Sequence, residues 1–386
     1  MRIGINASFA RKPNTGIGQV TVNFLRELAR QKTGHEFVLY LEEDLPQDFT
    51  LPKNFSKNIF LPIWKRDDLI RKIWWEKYLL PKKARADGCQ TFFSLYQCPT
   101  QMYQDIWHLM LVHDIIPKLF PEYLNNSRKK KYWRLTETAI RSADKILAVS
   151  KRTEKDLIQQ LGIDPAKITV SYPDVDEIYK KEISVEKSTK ILEKYKLKPG
   201  YILAGGGMEV RKNVDGVIHA YKKLVESNKV LHFIKEMPEL VIYGKLLPQL
   251  VPLTVDAEKL IKELDLTQHV KLLDLTPQAD MPALFKNALF FVYPSRYEGF
   301  GVPPLEAMSQ GTPAIIGKTS SLPEVGGDSA LYCDPEDHKD IAMVMRNVLI
   351  NPNLHATLAR RGKERAKNFA WHNFVTKFLN VVGNLH

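Results

Sequence analysis

The stretch Tyr293–Gly311, "YPSRYEGFGVPPLEAMSQG", follows the apolar run "LFFV" and sets two carboxylates, Glu298 and Glu306, around a glycine-bracketed turn and a double proline. An apolar run followed by polar and glycine residues reads as a buried strand passing into a loop. Pro303 and Pro304 fit the opening positions of a helix, where a missing N–H costs little and φ is already set. This places Glu298 just past a strand's carboxyl end and Glu306 in the first turn of a helix, near its positive end. Gly299 and Gly301 let the backbone approach a ligand closely. The N–H groups of Gly299, Phe300, Gly301 and Val302, with the helix start, form a concavity suited to an anion. Carboxylates cannot bind a phosphate, but they accept hydrogen bonds from hydroxyls. A nucleotide sugar carries hydroxyls on both sides of its diphosphate, so one acid suits the sugar and the other the ribose. The competing reading is a solvated turn acid at Glu298 and a carboxylate serving the helix dipole at Glu306.

The same strand–loop–helix pattern runs through the chain. "MRIGIN", "EFVLYL", "WHLMLVHD" and "KILAVS" read as strands in the first half, and "YILAGGG", "ELVIYG", "HVKLLD", "LFFVYPS" and "TPAIIG" in the second. Helical patterns separate them, such as "VTVNFLRELARQ" with Val20, Phe24, Leu25 and Leu28 on one face. This alternation is the signature of α/β domains with parallel sheets. The polar, lysine-rich, proline-bounded stretch at 173–198 reads as a linker. It divides the chain into Rossmann-like domains at 1–178 and 196–369, facing each other across a cleft. Ligands of open α/β sheets bind at the carboxyl ends of the strands, so the cleft is the expected site.

Three further stretches carry polar groups at such strand ends. In "AGGGMEVRKNVDGVIHAY" (Ala204–Tyr221), three glycines precede Arg211 and Lys212 and a helix that Asn213 or Asp215 could cap. Two cations there suit a diphosphate, Arg as a planar fork and Lys as a point charge; the alternative is a solvated basic loop. In "NTGIGQVTVNFLREL" (Asn14–Leu28), Gly16 and Gly18 permit close approach of a phosphate or sugar, or simply allow a helix-entry turn. In "LMLVHDIIPKLFPEYL" (Leu109–Leu124), His113 and Asp114 follow a strand; a histidine there is commonly held by a backbone carbonyl. Ser150 reads as a helix N-cap. "DVD" at Asp174–Asp176 has the form of a metal-binding DxD but reads as a turn, so no metal site is expected.

The chain of 386 residues has net charge +12. Residues 1–200 hold 35 Lys+Arg against 24 Asp+Glu, and residues 51–150 alone hold 18 against 9, so the excess lies in the first half. Trp64, Trp74, Trp75 and Tyr78 are interleaved with eight basic residues from Lys65 to Arg85, and "SRKKKYWR" at Ser127–Arg134 adds five more. Aromatic bodies with basic heads suit an anionic membrane surface, at about 1 kcal/mol per Lys or Arg near it. The alternative is a helix packing its aromatic face inward, and both are expected in part: Trp74 or Trp75 inward, the lysines outward. No nucleic-acid module is present, so nucleic acid is not an expected partner. Cys89, Cys98 and Cys333 form neither a CxxC pair nor a metal spacing, which suits a reducing compartment. With no signal-peptide pattern and no long apolar window, a cytoplasmic protein is expected, with the inner face of the cell membrane as a place for the basic half.

The segment "EGFGVPPLE" resembles the E-x7-E motif of the retaining glycosyltransferases of family 4, which have the GT-B fold of two Rossmann-like domains. The resemblance runs from the "GIG" loop to the C-terminal helix and is most specific in the second half. It implies that Glu298 contacts the transferred hexose and Glu306 the ribose. Arg211 and Lys212, in "RKN", would hold the donor phosphates and stabilise the departing nucleoside diphosphate, where negative charge grows. Gly16 and Gly18 would face the diphosphate across the cleft. His113 would position the reacting centre from the acceptor side, without acting as a nucleophile. "VIYG" and "LLDLT", at Val241–Gly244 and Leu272–Thr276, match strand ends that frame the nucleobase, largely through backbone. The C-terminal segment 370–386 would cross back onto the first domain. The implied co-substrate is a nucleoside diphosphate sugar, with no cofactor and no essential metal, and the acceptor a glycan or lipid-linked glycan. "HDIIPKLFPEYL" and "SRYEGFGVPPLEAM" resemble mannosyltransferases of surface-polysaccharide assembly, which implies GDP-mannose. The alternatives are a related enzyme using a UDP- or ADP-sugar, a nucleotide-sugar epimerase, and a non-catalytic carbohydrate- or membrane-binding protein. The joint presence of Arg211, Lys212, Glu298 and Glu306 argues against the last.

Overall fold

The computed structural model describes residues 1–46, 49–61 and 69–385. The chain forms two compact units: residues 1–174 with 370–386, and residues 175–369. In the first unit the strands are β1 (Arg2–Asn6), β2 (Glu36–Leu41), β3 (Phe55–Ile59), β4 (Thr91–Ser94), β5 (Trp107–Val112), β6 (Lys145–Ala148) and β7 (Ile168–Val170). They make one parallel sheet in the order β3-β2-β1-β4-β5-β6-β7. The second unit holds β8 (Tyr201–Gly205), β9 (Leu240–Tyr243), β10 (Val270–Leu273), β11 (Ala288–Tyr293), β12 (Ala314–Gly317) and β13 (Leu331–Cys333). Its parallel order is β10-β9-β8-β11-β12-β13. Helices cover both faces of such sheets, which is why the central strands are continuous apolar runs rather than alternating ones.

In each sheet the strand order reverses once beside its first strand, between β1 and β4 and between β8 and β11. These reversals are the topological switch points where open α/β sheets hold ligands. Around the first, helix Gly16–Arg30 is capped by Thr15, whose hydroxyl accepts the Gly18 N–H at 3.2 Å. Its Phe24 meets Phe374 and Phe378 of the C-terminal helix Trp371–Gly383, with ring centroids 5.9 and 5.2 Å apart. Phe378 also stacks on Phe93 of β4 at 4.6 Å, so the last helix completes the core of the first unit.

Two expectations need correction. The stretch expected to be a linker belongs to the second unit: Val185–Lys194 is a helix capped by Ser184, and Lys194 and Tyr195 both bond Asp280, at 2.6 and 2.7 Å. The basic residues of the aromatic cluster do not all face outward either. Trp75 is buried and donates to the Phe60 carbonyl at 3.1 Å, while Trp74 is exposed and packs on Tyr78. Arg71, however, is buried against Glu42 at 2.8 Å. The Lys72 ammonium lies about 5 Å from the rings of Phe9, Tyr96 and Tyr132. It faces the fully buried Glu76, which accepts hydrogen bonds from both tyrosines. Burial raises the Glu76 carboxyl, and the Lys72 charge and the two phenols oppose that. The inward turn follows from chemistry: a buried carboxylate requires a nearby cation and donors. Trp64, Lys65 and Arg66 lie outside the described residues. Among the described residues no helix is long and apolar enough to cross a membrane.

Candidate functional site

The second switch point gathers the loops after β8 and β11. Beyond β8 the chain turns through Gly205, Gly206 and Gly207, all at positive φ, into a short 3-10 turn Val210–Lys212 and then helix Val214–Leu231. Gly205 is required by space as well as by φ, because a Cβ there would lie 2.0 Å from the Tyr243 carbonyl oxygen. Asn213 is not a side-chain cap, contrary to expectation. It sits at φ 62° and its amide donates to the carbonyls of Pro294 and Pro335, at 3.0 and 2.7 Å, pinning the turn to the loops after β11 and β13.

Glu298 is the centre of the site. Its Oε1 accepts from Arg211 Nη1 at 3.0 Å, from Tyr293 at 2.8 Å and from Ser295 at 2.7 Å, and lies 2.8 Å from Lys212 Nζ. Arg211 also donates to the Tyr297 carbonyl at 3.0 Å, and Lys212 bonds the Tyr293 hydroxyl. The backbone is fixed too, with the Glu298 N–H donating to Ser320 at 2.8 Å and the Ser321 hydroxyl donating to the Phe300 carbonyl at 2.6 Å. Burial alone would raise the Glu298 carboxyl, but Lys212 and Arg211 bring it down to about 2. Burial lowers the Lys212 ammonium, and the Glu298 charge works against that. The arrangement is a pre-assembled cluster of two cations and one carboxylate, with the Glu209 charge also acting on Lys212.

Glu306 lives in a different environment. Helix Val302–Ser309 starts after Gly301, at φ 112°, with Pro303 and Pro304 in its first turn. Glu306 is the fifth residue of this helix, so it lies one step beyond the first turn in which it was expected. It is buried, with Gln278 Nε2 at 3.4 Å and no cation paired to it among the described residues; Gln278 in turn bonds the Tyr179 hydroxyl. Burial pushes its carboxyl up to about 7; bonds from Tyr179 and Gln278 oppose this and the Asp176 charge adds to it. One loop and its helix thus carry an acid ionised far below neutrality and an acid that titrates near neutrality, a contrast made by surroundings.

The structure brings Arg211, Lys212, Glu298 and the Gly299–Val302 loop together, with Glu306 further along the same helix. Gly16, Gly18 and His113 belong to the first unit. Gly18 is fixed by packing, since a Cβ there would lie 1.8 Å from the Lys12 carbonyl oxygen, whereas Gly16 has open space around it. His113 directly follows β5; its Nε2 is 3.0 Å from the Leu95 carbonyl and its N–H donates to Gln97 at 3.1 Å. That carbonyl requires the proton on Nε2, and burial keeps the ring below its ordinary pKa. Asp114 caps the following turn by accepting from the Ile116 N–H at 3.0 Å. Ser150 is an N-cap for Thr153, and Asp176 caps the turn at Glu177–Tyr179. Among the described residues no cluster of metal-ligating side chains occurs. Sequence reasoning passed over Tyr293, Ser295, Tyr179 and Gln278. Tyr293 and Ser295 stand in the strand-end "YPS", which was the available signal; nothing local marks the other two.

Comparison with known proteins gives the family. Residues 184–365 match the family model described as glycosyl transferases group 1, and residues 14–177 the model described as glycosyltransferase family 4. The O-antigen chain mannosyltransferase B of Escherichia coli is 32% identical over 276 residues, 70% of this chain and 68% of that protein. A serotype-specific mannosyltransferase, WbdA, of Escherichia coli is 28% identical over 285 residues, 72% of this chain but about a third (33%) of its own length. Anabaena HepE, solved in complex with UDP-glucose, superimposes with a TM-score of 0.73 at 16% identity, covering 100% of both chains. The chain belongs to the group 1/family 4 glycosyltransferases of GT-B fold and is a glycosyltransferase.

The ion cluster predicts an acid-side stability profile. The Glu298 contribution is complete above the unfolded carboxyl value near 4.5 and is lost as pH falls towards 2. Glu298→Gln, which leaves Arg211 and Lys212 uncompensated, should lower unfolding free energy at pH 7 by about 3 kcal/mol. Its deficit should shrink as pH falls from 5 to 3. Urea titrations at both pH values check this, and a deficit that does not change with pH would contradict it.

Proposed function

We propose that the protein transfers a hexose, with retention of anomeric configuration, from a nucleoside diphosphate sugar to a glycan or lipid-linked glycan, and that the donor is GDP-mannose. The observation that carries this is the meeting of Arg211, Lys212 and Glu298 at the switch point between β8 and β11, with Glu306 on the helix that follows. Arg211 and Lys212 hold the diphosphate and stabilise the charge that grows on it as the bond to the sugar breaks. Their positive charge makes a metal ion or other cofactor unnecessary. The Glu298 carboxylate, with Oε1 committed to the cluster, offers Oε2 to hexose hydroxyls, and Glu306 accepts from the ribose. The acceptor hydroxyl attacks the face from which the leaving group departs, and its proton passes to the departing phosphate oxygen. His113 positions the sugar from the acceptor side, and the Gly16–Gly18 turn receives the donor there.

The mannosyltransferase relatives support mannose as the sugar. The likeness to a protein solved with UDP-glucose supports a second reading, in which the donor is a UDP-sugar. Thermal stabilisation by GDP, UDP and ADP separates these. A ligand at a hundred times its dissociation constant adds about 2.7 kcal/mol. The account predicts a shift with GDP that disappears in Arg211→Ala; no shift with any of the three would overturn it.

Glu306 adds a pH signature. Ribose hydroxyls favour its ionised form, so binding should release a proton below pH 7. GDP affinity should rise about tenfold from pH 6 to pH 8, as the fraction of ionised Glu306 rises. In Glu306→Gln that pH dependence should vanish. Calorimetry in buffers of different ionisation enthalpy measures the proton directly, and an equally steep profile in the variant would remove Glu306 from the site.

We also infer that the first unit rests on anionic lipid at the inner membrane face. Ile70, Trp74 and Tyr78, four residues apart, are about half exposed (53%, 47% and 50%), with the exposed basic residues Lys82 and Arg85 following in the chain. Co-sedimentation should occur with phosphatidylglycerol-containing vesicles and not with pure phosphatidylcholine, and should weaken at high salt. Undiminished binding of a Trp74→Ala, Tyr78→Ala double variant would contradict this surface.

A further inference from the structure

Tyr243 ends β9, next to β8 in the sheet, and its side-chain hydroxyl has no role in the scheme above. The residue is only 9% exposed, and its hydroxyl is buried without a hydrogen-bond partner among the described residues. The ring cannot swing away to find one. It lies edge-on to Phe285, with centroids 6.0 Å apart, and beside Phe291 at 6.3 Å, while Gly205 packs against its backbone.

The hydroxyl points at the site. A Cβ built on Gly206 would lie 3.6 Å from the Tyr243 oxygen, 3.2 Å from Cε2 of Tyr293 and 3.4 Å from Cγ of Pro303. The Tyr243 hydroxyl, the end of β11 and the first turn of helix Val302–Ser309 therefore all border the same spot beside Gly206. Glu306, on the same helix as Pro303, is near enough for its charge to add to burial in holding the phenol protonated. A protonated phenol beside a helix start is a donor facing a place suited to an anion. Phenylalanine would fill the same space without burying an unsatisfied hydroxyl, so packing does not account for the tyrosine.

We propose that the Tyr243 hydroxyl is a donor-substrate ligand, giving a hydrogen bond to an oxygen of the link between the nucleotide's ribose and its first phosphate. This assignment rests on the reading of the second unit as the nucleoside diphosphate site.

The test is Tyr243→Phe, with calorimetric binding of GDP, or of UDP if that is the nucleotide the unmodified protein binds. Affinity should fall about tenfold, a typical loss for one buried hydrogen bond to a charged group. The melting temperature of the free protein should stay level or rise, because the hydroxyl has no partner to lose. Tyr221→Phe is the control: its hydroxyl donates to the Pro238 carbonyl at 2.8 Å, so its loss should lower the melting temperature and leave affinity alone. Equal affinity of Tyr243→Phe and the unmodified protein would overturn the assignment while sparing the donor site. A lower melting temperature for free Tyr243→Phe would also overturn it, by showing that the hydroxyl is satisfied within the protein. If the unmodified protein binds no nucleoside diphosphate, the donor reading falls and this assignment with it.

Discussion

A single carboxylate oxygen, Oε1 of Glu298, takes Arg211, Lys212, Tyr293 and Ser295 within 3.0 Å, and the second unit's site is organised around it. Lys212 is 8% exposed, and a buried ammonium or guanidinium without a counter-ion would be strongly unfavourable. Glu298 makes the burial possible. In doing so it ties the loop after β8 to the loop after β11, across the line where the strand order reverses. The glycine turn, the Asn213 amide bonds and the Ser320–Ser321 contacts then hold backbone in conformations that would otherwise have no reason to persist. Because one carboxylate oxygen holds both cations, the geometry of the cluster is set before any ligand arrives.

Glu298 and Glu306 show how little a motif says about ionisation. They are eight residues apart on one loop and helix, yet one is held near 2 and the other near 7. Burial raises both carboxyls; Lys212 and Arg211, far away in sequence, more than offset it for the first, whereas Tyr179 and Gln278 only partly oppose it for the second. The ionised acid is structural as well as functional, while the one near neutrality can respond to what binds beside it.

Much of the fold was legible because buried parallel strands announce themselves as apolar runs with polar residues at their carboxyl ends. β1, β5, β8, β9 and β11 all read this way. β3, "FSKNI", did not, because it is a half-exposed edge strand, and β13 is only three residues long. Arg211, Lys212, Glu298 and Glu306 stood out because their residue types suit the chemistry at a strand end. What the sequence could not show was pairing. That Lys72 would enter an aromatic cage, that Asn213 would bond two distant carbonyls instead of capping, and that Gly18 would be demanded by the Lys12 carbonyl all depend on how separate segments approach. The polar stretch before Tyr201 misled for a related reason: its lysines read as solvated connector, while its Ile191 and Leu192 face made it a packed helix.

The account stands or falls on where the diphosphate sits. The most direct measurement is a structure of the protein with its nucleoside diphosphate sugar bound. The account predicts phosphate oxygens within hydrogen-bond distance of Arg211 and Lys212, a sugar hydroxyl on the Glu298 carboxylate, and the ribose on Glu306. A diphosphate bound elsewhere on the chain, with Arg211 and Lys212 making no contact to it, would contradict it.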